Sequence, residues 1–198
     1  MRTNLPVTQQ NFDFPADELL VSSTNTKGEI THCNPAFVRV SGFEYEELVG
    51  QPHNIIRHPD MPPEAYRDMW RTVGRGEPWT GMIKNRRKNG DYYWVIANVT
   101  PILEGGKPHG YMSVRTKPSA AEAAEALYAQ LRSAQPSGSA RFYLQSGDVR
   151  YRGVRGWGQR VAKMALLPRM VMVMLLLVLL AFVPDAVGLQ GMMASVAR

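Results

Sequence analysis

Apolar positions along this chain alternate in short stretches, recur with a helical period in others, and merge near the C-terminus into one unbroken run. Leu19 to Ser22 and Ile30 to His32 read as short strands around the turn Asn25-Thr26-Lys27-Gly28. Asn34-Pro35 supplies an N-cap and a first-turn proline for a helix over Pro35 to Ser41, closed by Gly42. Glu44 to Val49 is a second short helix and Asn54 to His58 a third turn, halted before Pro59. Pro62 to Val73 is longer, with Ala65, Met69, Trp70 and Val73 on one side. Strands follow over Trp79 to Arg87, Tyr92 to Ile102 and His109 to Thr116, the first pair joined at Asn89-Gly90. Two strands, several short helices and three antiparallel strands predict an α+β fold: one five-stranded antiparallel sheet with helices on one face. Strand period places Trp79, Ile83, Asn85 and Arg87 on one face, and Val95, Ala97 and Val99 on one face of the next strand. Small Ala97 leaves room there for a ligand or a helix.

Beyond Pro118 the composition changes. Ser119 to Ser133 reads as an amphipathic helix, and Gln135-Pro136-Ser137-Gly138-Ser139 as a linker. Met170 to Val183 is continuously apolar, directly after a run of arginines and Lys163. A bilayer span needs ~20 apolar residues, and the weakly apolar residues after Asp185 extend this run. Apolar character all round with cations before it predicts a membrane anchor. A helix packing on a partner protein is the alternative. The first residues, Met1 to Phe14, carry no apolar signal segment, so the N-terminal part is expected on the cytoplasmic side.

Composition then narrows the function classes. Of the 198 residues, 44% are apolar and one is cysteine, which excludes a disulfide framework and a thiolate zinc cluster. The four histidines, His32, His53, His58 and His109, show no metal-ligand spacing. The formal charge is +6, but residues 1–118 hold 14 Lys/Arg against 13 Asp/Glu. The excess is therefore in the tail, and no nucleic-acid partner is expected for the domain.

Some residues admit chemistry. Arg57, His58 and Asp60 form either a local salt-bridged turn or a cationic grip on an anionic ligand. Asn85 offers an amide donor and acceptor on the inner face. Trp79 shares that face and is either a core residue or a stacking platform. Asn34 is explained as a helix cap, Trp70 as core, and Arg86 and Lys88 as a solvated hairpin tip.

The stretches ITHCNPAFVRVSGFEYEELVG (30–50), GQPHNIIRHPDMP (50–62), GEPWTGMIKNRRKNGDYYWVIANVTPI (76–102) and GYMSVRT (110–116) resemble the PAS domain of the bacterial aerotaxis-receptor family, as does the leader VTQQN. The resemblance covers about residues 7–118. It implies a PAS fold holding FAD without covalent attachment, and a redox- or oxygen-responsive sensor for aerotaxis rather than an enzyme. The cofactor-binding residues it implies are Asn34, His53, Arg57, His58, Asp60, Trp79, Asn85 and Arg115. His53 stands where photosensory PAS domains carry their adduct-forming cysteine, which excludes that photochemistry. Arg115 stands where they carry a glutamine, and a cation there would stabilise negative charge added to the ring. A haem reading fails because Met61 to Gly74 has no histidine.

The organisation expected is a cap over 1–18, a PAS domain over 19–118, a helical and basic linker over 119–169, a membrane anchor over 170–189 and a tail over 190–198. The implied partners are the inner membrane, a second copy in a homodimer, and a chemotaxis signalling or HAMP-type module, in trans or beyond Arg198. A cofactor-free PAS interaction module and a flavoenzyme are the competing readings.

Overall fold

The computed structural model describes residues 3–134, residues 142–151 and scattered positions from 153 to 177. Two units divide it, residues 1–150 and residues 151–198.

The elements are β1 (Leu20–Asn25), β2 (Ile30–Cys33), α1 (Pro35–Ser41), α2 (Tyr45–Leu48), a 3-10 turn (His53–Ile56), α3 (Pro63–Val73), β3 (Trp79–Arg86), β4 (Tyr92–Glu104), β5 (Lys107–Thr116), α4 (Glu122–Ala134), β6 (Phe142–Gln145) and β7 (Asp148–Tyr151), all but the last residue of β7 within the first unit. The five-stranded sheet has the order β2-β1-β5-β4-β3, and every pairing is antiparallel. Local chemistry explains the boundaries. Asn34 caps α1 by accepting from Phe37 N–H, Pro35 opens it, and Gly42 closes it at φ 73°. Glu44 and Glu47 form a reciprocal capping box on α2.

Register decides what the inner face presents. One row across the sheet is Leu20, Arg115, Ala97 and Gly81. The next is Ser22, Ser113, Val99 and Trp79. Arg115 therefore has the small residues Ala97 and Gly81 on one side of its row. A side chain at Gly81 would collide with the Trp79 indole, which occupies that space.

Three features go beyond what the sequence placed. First, the helix expected over Ser119 to Ser133 packs on the sheet as α4. The outer face is covered by α4: Tyr128 donates its hydroxyl to the Met82 carbonyl at 2.7 Å and stacks on Trp94. Second, Arg86 is not at a solvated tip. It is buried, donating to the carbonyls of Pro6 at 2.7 Å and Leu5 at 2.9 Å. β5 ends at Thr116, opposite Ile96, and the N-terminal segment continues alongside β4 with Asn11 beside Tyr92. Strand period could not announce that strap. Third, the basic linker contains the β6–β7 hairpin, which buries Phe142 and Leu144. Among the described residues no helix is long and apolar enough to cross a membrane. Much of the predicted anchor, including residues 178–189, lies outside the described residues.

Candidate functional site

β5 and β1 carry the centre of the site. Arg115 is 4% exposed and points inward from β5. Its Nη1 donates to Ser22 Oγ at 3.0 Å, its Nη2 meets His53 Nε2 at 2.7 Å, and its guanidinium lies over the Phe37 ring. None of these partners is acidic. Burial lowers the Arg115 pKa to about 10. A guanidinium only donates, so His53 Nε2 accepts and the imidazole is neutral. Burial, reinforced by the Arg115 cation, holds His53 down to about 3.

Asn85 adds the second part. Its backbone pairs with Arg57 and its side chain shares the inner face with cross-strand Tyr93. Asn85 Nδ2, the Tyr93 hydroxyl and Ser113 Oγ are buried with no hydrogen-bond partner among the described residues. Arg57 reaches the same side: its guanidinium lies 4.2 Å from the Tyr66 ring centroid and donates to the Met61 carbonyl at 3.1 Å. Burial pushes Tyr66 up to about 12, against the opposing pull of the Arg57 and Arg115 cations.

The structure separates what the sequence placed together. The Arg57-to-Asp60 turn straddles the edge strand β3. His58 and Asp60 face Lys84 on the outer side, not Arg57. Asp60 Oδ2 is 3.0 Å from the Lys84 ammonium, which also contacts Glu125 at 2.9 Å. Burial opposes ionisation of Asp60, but the Lys84 hydrogen bond and charge outweigh it and lower its pKa. His58 Nδ1 accepts from Asp60 N–H at 3.1 Å, and burial holds this ring neutral to about 4. Asn34 has its side chain committed to Phe37, Val21 and Leu19 backbone groups. Trp79 is buried and donates its indole N–H to Asp68 at 2.9 Å. Asn34 and Trp79 thus shape the inner face from positions already satisfied by protein.

Tyr66, Tyr93, Ser22 and Ser113 join the site although sequence reasoning did not single them out. Tyr93 and Ser113 had a usable signal, since each is two-periodic with Val95 or Arg115. Tyr66 and Ser22 had none. Lys84 escaped because strand alternation puts it on the outer face, where Asp60, Tyr92 and Glu125 of α4 gather around its ammonium.

A cavity of about 50 Å³ opens among Ser22, His53, Trp70, Val99, Ser113 and Arg115. Ligand pockets commonly run about 300–1,000 Å³, so a flavin-sized ring would have to displace Met69 and Trp70 of α3, which close it. The chemistry nevertheless fits such a ring. An acid-free guanidinium faces inward, beside an amide N–H₂ and two hydroxyls that lack partners among the described residues and require them.

Residues 30–115 match the PAS fold family. The chain carries a PAS domain. Over 133 residues it is 53% identical to the aerotaxis receptor of Escherichia coli, covering 66% of this chain and 26% of that receptor. The nitrogen fixation regulatory protein of Klebsiella pneumoniae is 34% identical over 83 residues, covering 42% of this chain and 17% of that protein. This chain thus spans about a quarter or less of the curated relatives it matches. A solved light-oxygen-voltage domain, studied with a flavin analogue, superposes with TM-score 0.50 at 21% identity, covering 59% of this chain and 89% of that one. That likeness concerns the fold. The PAS domain here lacks a cysteine at His53, its one cysteine being buried Cys33.

Proposed function

We propose that the PAS domain binds FAD non-covalently and serves as a redox- or oxygen-responsive sensor for aerotaxis, not as an enzyme. The observation that carries the cofactor is Arg115, a buried cation without an acidic partner, beside the unpartnered Asn85 amide. The kinship with the aerotaxis receptor supports the signalling role.

The flavin, when bound, supplies reversible electron uptake. The protein's residues do the rest. Arg115 presents positive charge in a low-dielectric pocket, which favours negative charge arriving beside it. Neutral His53 orients Arg115 without cancelling its charge. Asn85 and the Tyr93 hydroxyl bind polar ring edges, and Arg57, stacked on Tyr66, adds a second cation on the same side. His58 and Asp60 support the turn that carries Arg57, through Lys84. A change of ring charge would shift the Arg115–His53–Ser22 arrangement and pass to a signalling partner.

In this reading the arginine-rich segment and the apolar run after it anchor the chain to the cytoplasmic membrane, with the PAS domain on the cytoplasmic side. A chemotaxis or HAMP-type module and a second copy of the chain are the partners.

The test is the absorption spectrum of the purified full chain in detergent, followed through anaerobic stepwise reduction. Bands near ~370 and ~450 nm that bleach reversibly are expected from flavin chemistry. A colourless protein that rejects added FAD would favour a cofactor-free docking module. Steady NADH turnover would favour a flavoenzyme.

A further inference from the structure

Asp68 lies within α3 at 2% exposure, and donors from three elements converge on its carboxylate. Oδ1 accepts from Ser146 N–H at 2.9 Å and from Arg71 Nη2 at 3.1 Å. Oδ2 accepts from the Trp79 indole N–H at 2.9 Å and from Gly147 N–H at 2.8 Å. A carboxylate offers about four acceptor positions, so this one is filled.

The hairpin turn is shaped for the purpose. Ser146 and Gly147 link β6 to β7, with φ 52° and 84°. Two successive left-handed residues make the primed turn that suits a hairpin, and they aim consecutive N–H groups into one anion-binding nest. A side chain at position 147 would collide with the Thr80 carbonyl of β3. Glycine is therefore demanded both by backbone angle and by close approach. β6 packs against α3.

Trp79 ties this nest to the sheet interior. It stands in one row with Val99, Ser113 and Ser22, three residues that line the inner cavity.

We propose that the β6–β7 hairpin is a latch on the PAS domain, gripping Asp68 through its turn, with Trp79 setting the strength of that grip. A buried carboxylate that loses one donor must rehydrate or shift, which weakens the remaining bonds. A change at the inner cavity that reorients the Trp79 indole would thus loosen the segment leading toward the C-terminus.

Amide hydrogen exchange on the purified full chain tests this, with β4 as the internal reference for global opening. Gly147→Ala removes the docking sterically, and residues 142–147 should exchange at least tenfold faster while β4 stays protected. Trp79→Phe keeps a ring but removes the indole donor. The hairpin should then exchange about tenfold faster relative to β4, the loss expected for one hydrogen bond to a charged group. In the double variant the Trp79→Phe effect on the hairpin should vanish. Unaltered hairpin exchange in Gly147→Ala would overturn the docking. Trp79→Phe acceleration that is nil, equal in β4, or undiminished in the double variant would overturn the coupling. No readout needs a bound cofactor, so this result stands apart from the spectrum of the flavin test.

Discussion

Arg115 Nη2 and His53 Nε2 stand 2.7 Å apart on the inner face of the sheet. The contact forces the imidazole to be the acceptor, so a cation is held in place by a neutral base rather than by an acid. Charge is thereby oriented without being neutralised.

This arrangement makes stability fall with acid. The ordinary value for the His53 imidazole is 6.5, and in the fold it is about 3. Between those values the unfolded chain binds more protons, so stability is full above about 6.5 and is lost as pH falls toward 3. His58, held to about 4, adds to the same window. Each contributes a slope approaching ~1.4 kcal/mol per pH unit. Urea midpoints from pH 7 to 4 should decline, and His53→Gln should decline less steeply. An unchanged slope in that variant would refute the role of His53.

Asn85 separates ligand binding from folding. Its Nδ2 has no protein partner among the described residues, so Asn85→Leu removes a buried polar cost. The thermal midpoint of the cofactor-free chain should hold or rise. Flavin retained through gel filtration should drop at least tenfold, the scale of a lost buried hydrogen bond. A variant that keeps its full flavin spectrum would remove Asn85 from the site.

Lys84 distinguishes charge from packing. It is 2% exposed, with its ammonium 4.1 Å from the Tyr92 ring centroid, while Asp60 and Glu125 remain about half exposed. Those carboxylates can rehydrate, so Lys84→Met should change stability by no more than about 1 kcal/mol. Lys84→Ala also loses the aliphatic stem and should cost about 2–3 kcal/mol. In both variants NMR titration should show the Asp60 pKa moving up, because the Lys84 partner that lowered it is gone.

Arg86 holds the N-terminal strap. Its fork reaches the Leu5 and Pro6 carbonyls at once, a geometry that lysine cannot reproduce. Arg86→Lys should cost about 1–3 kcal/mol. The Thr8 and Phe12 amides, bonded to Gly90 and Tyr92 carbonyls, should exchange faster than those of β5. Equal exchange in both regions would show that the strap does not depend on Arg86.

The strands and helices of residues 19–117 were legible because each carries its own punctuation. Asn34, Pro35 and Gly42 bracket α1, and Gly74 closes α3. Of the candidate site, Asn85 and Arg115 were readable from strand period and family likeness, and both are buried on the inner face. The partition of the Arg57-to-Asp60 turn was not readable. Adjacent residues fall on opposite sides of β3, and the Lys84–Asp60 contact shows which way Asp60 turns.

The sequence by itself determined the local elements of residues 19–117 and pointed to the family of the domain, since caps, turns and two-residue alternation act over a few neighbours. Tertiary structure alone decided that Lys84 and Arg86 are buried, that His53 meets Arg115, and that a hairpin turn nests on Asp68. Each of these joins residues distant along the chain. The identity of a buried polar group's partner depends on which segments cover it, and no local pattern encodes that.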